Sequence, residues 1–243
     1  MNYSLKDAYN FLVKGNLNKA KKITEHYLIK NPNDFNALQI LSGVFFNSKD
    51  FENAKLVLER LIEINPSNAQ IHNNYALALF NLSEFEKALE YLNKAIKVDK
   101  KYAEAYYNRG NVFLKLQNRD LALKSFNQAI ELRPDYKIAL NNKGNLLKDI
   151  GKLDEALLSY QKAINIKPTN PEEINNCGNI CFEMERYGEA INYFSTAIKI
   201  NPNFYQAHYN LGKVLNKIGN KNKAIESYKN SIQINDKFER SFF

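Results

Sequence analysis

YYNRGNVFLKLQ, Tyr106 to Gln117, has the apolar spacing of a helix but carries Asn108, Gly110 and Asn111 where a helix prefers Ala or Leu. A glycine inside a helix costs about 1 kcal/mol relative to alanine, and asparagine is also a weak helix former. Something beyond local propensity keeps these residues in place. The stretch then returns three times, as LNNKGNLLKDIG from Leu140, INNCGNICFEME from Ile174 and HYNLGKVLNKIG from His208. Each copy starts 34 residues after the one before it.

The same interval organises the whole chain. Five of the six prolines, Pro32, Pro66, Pro134, Pro168 and Pro202, fall on one 34-residue grid, whose two vacant points hold Lys100 and Asp236. An alanine column runs without a break through Ala20, Ala54, Ala88, Ala122, Ala156, Ala190 and Ala224. A second small-residue column reads Ala8, Ser42, Ala76, Gly110, Gly144, Gly178 and Gly212. Self-similarity at such a period marks a stacked repeat architecture. Seven repeats fill the chain at 1–34, 35–68, 69–102, 103–136, 137–170, 171–204 and 205–238, leaving a tail at 239–243.

Each repeat reads as two helices joined by a turn. In the fifth, helices are expected over about 138–150 and 154–166, with Gly151 and Lys152 turning the chain and Pro168 ending the second helix, because proline cannot continue one. Small residues facing each other, Gly or Ala in the first helix and Ala in the second, would let the two axes approach closely. Proline and glycine are sparse elsewhere, so the chain is all-α.

Composition narrows the function classes. Hydrophobic residues make up 44%, enough for a continuous core, and the net charge is +8. No apolar run approaches the ~18 residues that suggest a membrane span. Asp7 interrupts the N-terminal apolar stretch, so no secretory leader is read there. With two cysteines, Cys177 and Cys181, there is no disulfide framework, and a cytoplasmic protein is expected.

The columns resemble the tetratricopeptide repeat (TPR) family across essentially the whole chain. Tyr106, Gly110, Phe113, Ala122, Phe126, Ala129 and Pro134 are one full copy of that family's pattern. The first repeat departs most, with Asp7, Thr24 and Tyr27 at marked positions, as suits a terminal repeat with one neighbour. The resemblance implies a right-handed superhelical solenoid of antiparallel helix pairs. Its first helices would line a concave groove with positions 2, 5, 6, 9, 12 and 13 of each repeat.

On that implied stripe asparagine recurs. Position 6 holds Asn74, Asn108, Asn142, Asn176 and Asn210; position 9 holds Asn111, Asn145 and Asn179. A carboxamide both donates and accepts, so it matches the N–H and C=O of an extended peptide without demanding a side chain. Some family members hold extended substrates with such an asparagine ladder. Tyr107, Phe182 and Tyr209 would add side-chain pockets. The expected function is therefore non-catalytic capture of an extended segment of another protein. The alternative for the amides is inherited surface, since asparagine is abundant here and the repeats arose by duplication.

Other uses of the groove fit less well. Capture of a terminal carboxylate needs cations at position 5, which instead reads Leu5, Gln39, Asn73, Tyr107, Asn141, Asn175 and Tyr209. The stripe carries five lysines (Lys6, Lys115, Lys148, Lys213, Lys217) against four acids (Glu104, Asp149, Glu172, Glu183), so no basic funnel for nucleic acid follows it. The basic excess is read as a solvated outer face. Cys177 and Cys181 sit at core positions, and His26, His72 and His208 fall in separate repeats, so no metal or other cofactor is expected. No nucleophile, base and oxyanion site gather in one place, and no enzyme activity is expected.

The last repeat supports a rival, structural reading. Ile225, Ile232 and Ile234, with Phe238, Phe242 and Phe243 beyond them, would form an uncovered apolar edge. That edge would serve a homodimer or mark a fragment of a longer protein.

Overall fold

The computed structural model describes residues 3–166 and 170–240, with side chains described as far as Asp236. Among the described residues there are fourteen helices and no strand. They are α1 (Leu5–Val13), α2 (Leu17–Lys30), α3 (Phe35–Asn47), α4 (Phe51–Ile64), α5 (Ala69–Asn81), α6 (Phe85–Val98), α7 (Ala103–Lys115), α8 (Arg119–Leu132), α9 (Lys137–Asp149), α10 (Leu153–Ile166), α11 (Pro171–Glu183), α12 (Tyr187–Ile200), α13 (Tyr205–Lys217) and α14 (Lys221–Arg240). From α3 onward, each first helix starts at position 1 of the 34-residue grid, and every second helix starts at position 17. In the fifth repeat both helices begin one residue earlier than the sequence suggested. Pro168, the expected stop, lies outside the described residues.

Packing divides the chain into two compact units, residues 1–132 with α1–α8 and residues 133–243 with α9–α14. In the first unit Leu38, Leu58, Leu61, Ile71, Leu79 and Leu92 form a continuous core. In the second, Ile174, Ala197, Phe204 and Ala207 belong to one such cluster. The alanine column explains how the helices come so close. Ala20, Ala54, Ala88, Ala122, Ala156 and Ala190 have no exposed surface, and Ala224 almost none. Any larger side chain there would have to push the helices apart.

The glycine column has a different partner from the one expected. A Cβ on Gly110 would lie 2.5 Å from the ring of Phe126, and one on Gly178 would lie 2.5 Å from the ring of Phe194. Gly144 faces Tyr160 and Gly212 faces Tyr228 in the same way, at 3.0 Å and 2.7 Å. The glycine makes room for an aromatic ring of the second helix, not for an alanine. Burial of that ring outweighs the glycine's poor helix propensity.

All seven turns within the repeats share one geometry. Position 15 is left-handed every time, at Gly15, Lys49, Ser83, Gln117, Gly151, Glu185 and Gly219. Its N–H donates to the carbonyl of position 12, and the next N–H donates to position 11, as in Gly151 to Lys148 (2.9 Å) and Lys152 to Leu147 (2.9 Å). This pair of bonds satisfies carbonyls that the helix end would otherwise leave open. Position 16 then precedes the second helix, and where it is Asn or Asp its side chain can cap it, as Asn118 does for the N–H of Leu121 (3.1 Å).

Two departures from expectation have simple causes. Asp7 stands where other repeats have Leu41, Tyr75, Cys177 and Leu211, but α1 begins at Leu5, so Asp7 falls in the first turn and forms a capping box with Ser4. Hydrogen bonds from Ser4 hold its carboxyl below the usual range. Helix α14 runs on to Arg240, into the expected tail, whereas the other second helices end at position 30. Asp236 stands where five other repeats have proline, so no proline stops the helix there.

Candidate functional site

The asparagines expected to face a groove lie on the first helices, and within each packing unit they form lateral bonds. In the first unit Asn108 Nδ2 donates to Oδ1 of Asn73 in the preceding repeat at 2.8 Å. Asn73 is 3% exposed, and its own Nδ2 reaches Asn74 Oδ1 at 3.5 Å. In the second unit Asn210 Nδ2 donates to Asn175 Oδ1 at 3.0 Å. Position 6 of one repeat therefore bonds position 5 of the repeat before it, twice. The position-5 asparagines are part of the amide row, a role the sequence reading did not give them.

Asn74, Asn108, Asn111, Asn142, Asn176, Asn179 and Asn210 are half-buried, while Asn145 is exposed and accepts a short bond from the Tyr160 hydroxyl. A carboxamide has two N–H groups and an oxygen with two lone pairs, so one lateral bond leaves capacity for a ligand. Half-burial also limits the side-chain entropy that binding would cost.

Two clefts touch these rows. In the second unit a cleft of about 440 Å³ is lined by Asn175, Asn179, Tyr205, Tyr209, Asn210 and Asn235, among others. It brings together three of the expected site residues, Asn179, Tyr209 and Asn210. Ile232, assigned from sequence to the self-association edge, also lines it. In the first unit a cleft of about 500 Å³ includes Asn74 with Gln39, Phe46, Gln70 and Leu77. The aromatic candidates differ in setting. Tyr107 is half-buried with its ring 6.0 Å from that of Phe126, whereas Tyr209 is 51% exposed. The Lys213 ammonium lies 5.1 Å from the Phe182 ring and 6.0 Å from the Tyr209 ring, so the three form one cation–π group.

Other polar groups have structural work. His72 Nε2 donates to the Pro66 carbonyl (2.7 Å) and His208 Nε2 to that of Pro202 (3.0 Å). Tyr106 makes the equivalent bond to Lys100 (3.3 Å), so position 4 ties down the preceding loop. Glu173 is 7% exposed at a position that is alanine in four other repeats. Lys137 Nζ lies 2.9 Å from Glu173 Oε2, and Asn141 Nδ2 donates to Oε1 at 2.8 Å, which compensates the buried charge. Cys177 and Cys181 are fully buried, and burial pushes their thiols up to about 12 and about 11. Among the described residues no group of three or more His, Cys, Asp or Glu could hold a metal ion, and no helix is long and apolar enough to cross a membrane.

Comparisons with known proteins agree with this architecture. The TPR repeat family model matches residues 76–117, 144–180 and 178–219, and the tetratricopeptide repeat model matches 103–136 and 205–238, together more than half of the chain. A model described as anaphase-promoting complex, cyclosome, subunit 3 matches residues 13–95. No curated protein matches significantly. Among solved structures, the chain is similar to YrrB, described as a TPR protein with an unusual peptide-binding site, with 26% identity, 73% of this chain and 91% of YrrB covered, and a TM-score of 0.65. It is similar to the C-terminal part of a TPR repeat-containing protein of Cytophaga hutchinsonii at 15% identity, 95% of each chain and a TM-score of 0.77. It is also similar to pilF of Pseudomonas aeruginosa at 18% identity, 79% of this chain and 88% of that one, with a TM-score of 0.68. With fourteen helices paired on a 34-residue grid and these matches, the chain belongs to the tetratricopeptide repeat family.

Proposed function

We propose that this protein is a non-catalytic interaction module whose first helices hold an extended segment of another protein by its main chain. The observation that carries the reading is the cleft in which Asn179, Asn210 and Tyr209 meet, next to the lateral Asn210–Asn175 bond. That bond orients the row before any ligand arrives, and pre-oriented amides lose little freedom on binding. An extended chain advances about 3.3 Å per residue, so helices about 10 Å apart would meet roughly three residues per repeat. YrrB, the 26% identical neighbour, is itself described as having a peptide-binding site.

The test begins with selection of a binding peptide from a displayed library of unstructured peptides. Its backbone N–H groups are then N-methylated one at a time. Recognition through the main chain predicts that methylation at several positions weakens binding more than changing the side chains there does. Asn176→Ala combined with Asn210→Ala should weaken it about tenfold or more, as expected for one or two lost hydrogen bonds. Unchanged affinity in the double variant, at equal helicity, would make the amides passive surface.

One observation favours self-association as a second reading. Ile225 and Ile232 on α14 are 52% and 61% exposed. Ile234 is half-buried, Phe238 has no described side chain, and Phe242 and Phe243 lie outside the described residues. Sedimentation equilibrium decides it, since a monomer at all concentrations removes this reading.

A further inference from the structure

The first repeat carries a second cleft, away from the asparagine rows. It measures about 520 Å³ and is lined by Tyr3, Lys19, Lys22, Ile23, His26, Tyr27, Lys30 and Asn31. Six of these fall on α2 at spacings of three, four, seven, eight and eleven residues from Lys19, so they share one helix face. With about 1.5 Å of rise per residue, the ammonium row from Lys19 to Lys30 extends about 16 Å.

Three of the lining residues depart from what their columns hold elsewhere. Position 30 is Ile64, Val98, Leu132, Ile166, Ile200 and Ile234 in the other repeats, but Lys30 here. Position 27 is Leu61, Ala95, Ala129, Ala163, Ala197 and Ser231, all buried, but Tyr27 here. Position 3 is alanine in four repeats, but here it is Tyr3, which is 46% exposed. Terminal repeats commonly become polar for solubility. Solubility does not call for two large phenol rings beside three ammonium groups.

Among the described residues no carboxylate neutralises the cleft, although the Lys19 ammonium lies 5.3 Å from the Phe11 ring centroid. Lys19, Lys22 and Lys30 are exposed, and none has a carboxylate at ion-pairing distance among the described residues. Glu25 pairs with Lys21 instead. Asp34, which Tyr27 Oη approaches at 3.5 Å, is engaged as the cap of α3, accepting from the Ala37 N–H at 2.9 Å.

We propose that this face of α2 is a docking site for a short acidic segment of a partner protein carrying one bulky apolar anchor. The anchor would sit against Tyr3, Ile23 and Tyr27, with carboxylates meeting Lys19, Lys22 and Lys30. Charge complementarity selects the acidic partner, and the length of the cation row favours a segment of several residues over a single small ligand. The proposal is independent of the asparagine rows.

The test uses fluorescence anisotropy with a labelled ten-residue Asp/Glu-rich peptide containing one central Phe. Saturable binding is expected, weakened by salt because the contacts are exposed. Replacing the Phe by Ala should weaken it. Lys22→Glu with Lys30→Glu should weaken it about tenfold, since two ion pairs become repulsions. Asn176→Ala with Asn210→Ala should leave it unchanged. Both lysines are exposed, so the reversal variant is expected to fold, and circular dichroism checks that it does. Lack of saturation, equal binding of the Phe→Ala peptide, or indifference to the charge reversal would overturn the proposal. So would tighter, equally lysine-dependent binding of a ten-nucleotide thymidine oligomer or of phosphatidylserine vesicles.

Discussion

Repeats 1–3 and repeats 4–7 solve the same seam in opposite ways. At positions 8 and 24 the later repeats hold Gly110 with Phe126, Gly144 with Tyr160, Gly178 with Phe194 and Gly212 with Tyr228. The earlier ones hold Ala8 with Thr24, Ser42 with Leu58 and Ala76 with Leu92. When the second helix brings a ring, the first gives up its Cβ; when it brings an aliphatic or smaller side chain, the Cβ returns. The change does not follow the division at Leu132, because the fourth repeat belongs to the first packing unit and has the ring. What the seam requires is a combined volume, and either helix can supply it.

That comparison makes its own tests. The largest effect is expected from Gly178→Ala, which places a methyl 2.5 Å from a ring carbon of Phe194. It should destabilise by about 1–3 kcal/mol in urea unfolding, although alanine is the better helix former. Adding Phe194→Leu recreates the Ala76–Leu92 pair and should recover part of the loss. A strictly additive double variant would break the volume argument. At the next level, Gly188→Ala in α12 meets nothing within 4 Å, so the same substitution should stabilise by about 0.5–1 kcal/mol. Thermal melts of the two alanine variants should therefore shift in opposite directions. Smaller still, Glu185→Gly relieves a left-handed residue (φ 59°) but frees the unfolded chain. A net gain of a few tenths of a kcal/mol is expected. The buried thiols give a check without substitution: a thiol reagent at neutral pH should label Cys177 and Cys181 only as the protein unfolds.

The 34-residue grid was legible because two columns of small residues and one of proline are visible without any structure. Helix starts followed within a residue. The ring opposite each glycine was not, since both Ala and aromatic residues of the second helix share the i, i+4 spacing and only the crossing of the two helices selects between them. For the site, the position-6 and position-9 asparagines could be named, but their lateral partners Asn73 and Asn175 could not. Those bonds depend on how far one repeat is displaced from the next. The lysines of α2 were counted in the net charge, yet their gathering beside Tyr3 and Tyr27 arises only when the segment before α1 lies against α2.

The turn inside each repeat also bears on how this chain can change length. One residue, at position 16, serves both helix ends: the Lys152 N–H donates to the Leu147 carbonyl of α9, and its own carbonyl accepts from the Ala156 N–H of α10. Such a joint has no slack. One added residue would rotate the following helix by about 100° and turn its alanine away from the seam. Insertions at these joints should be excluded, so changes of length are left to the loops between repeats or to whole 34-residue steps, like a chain of fixed links.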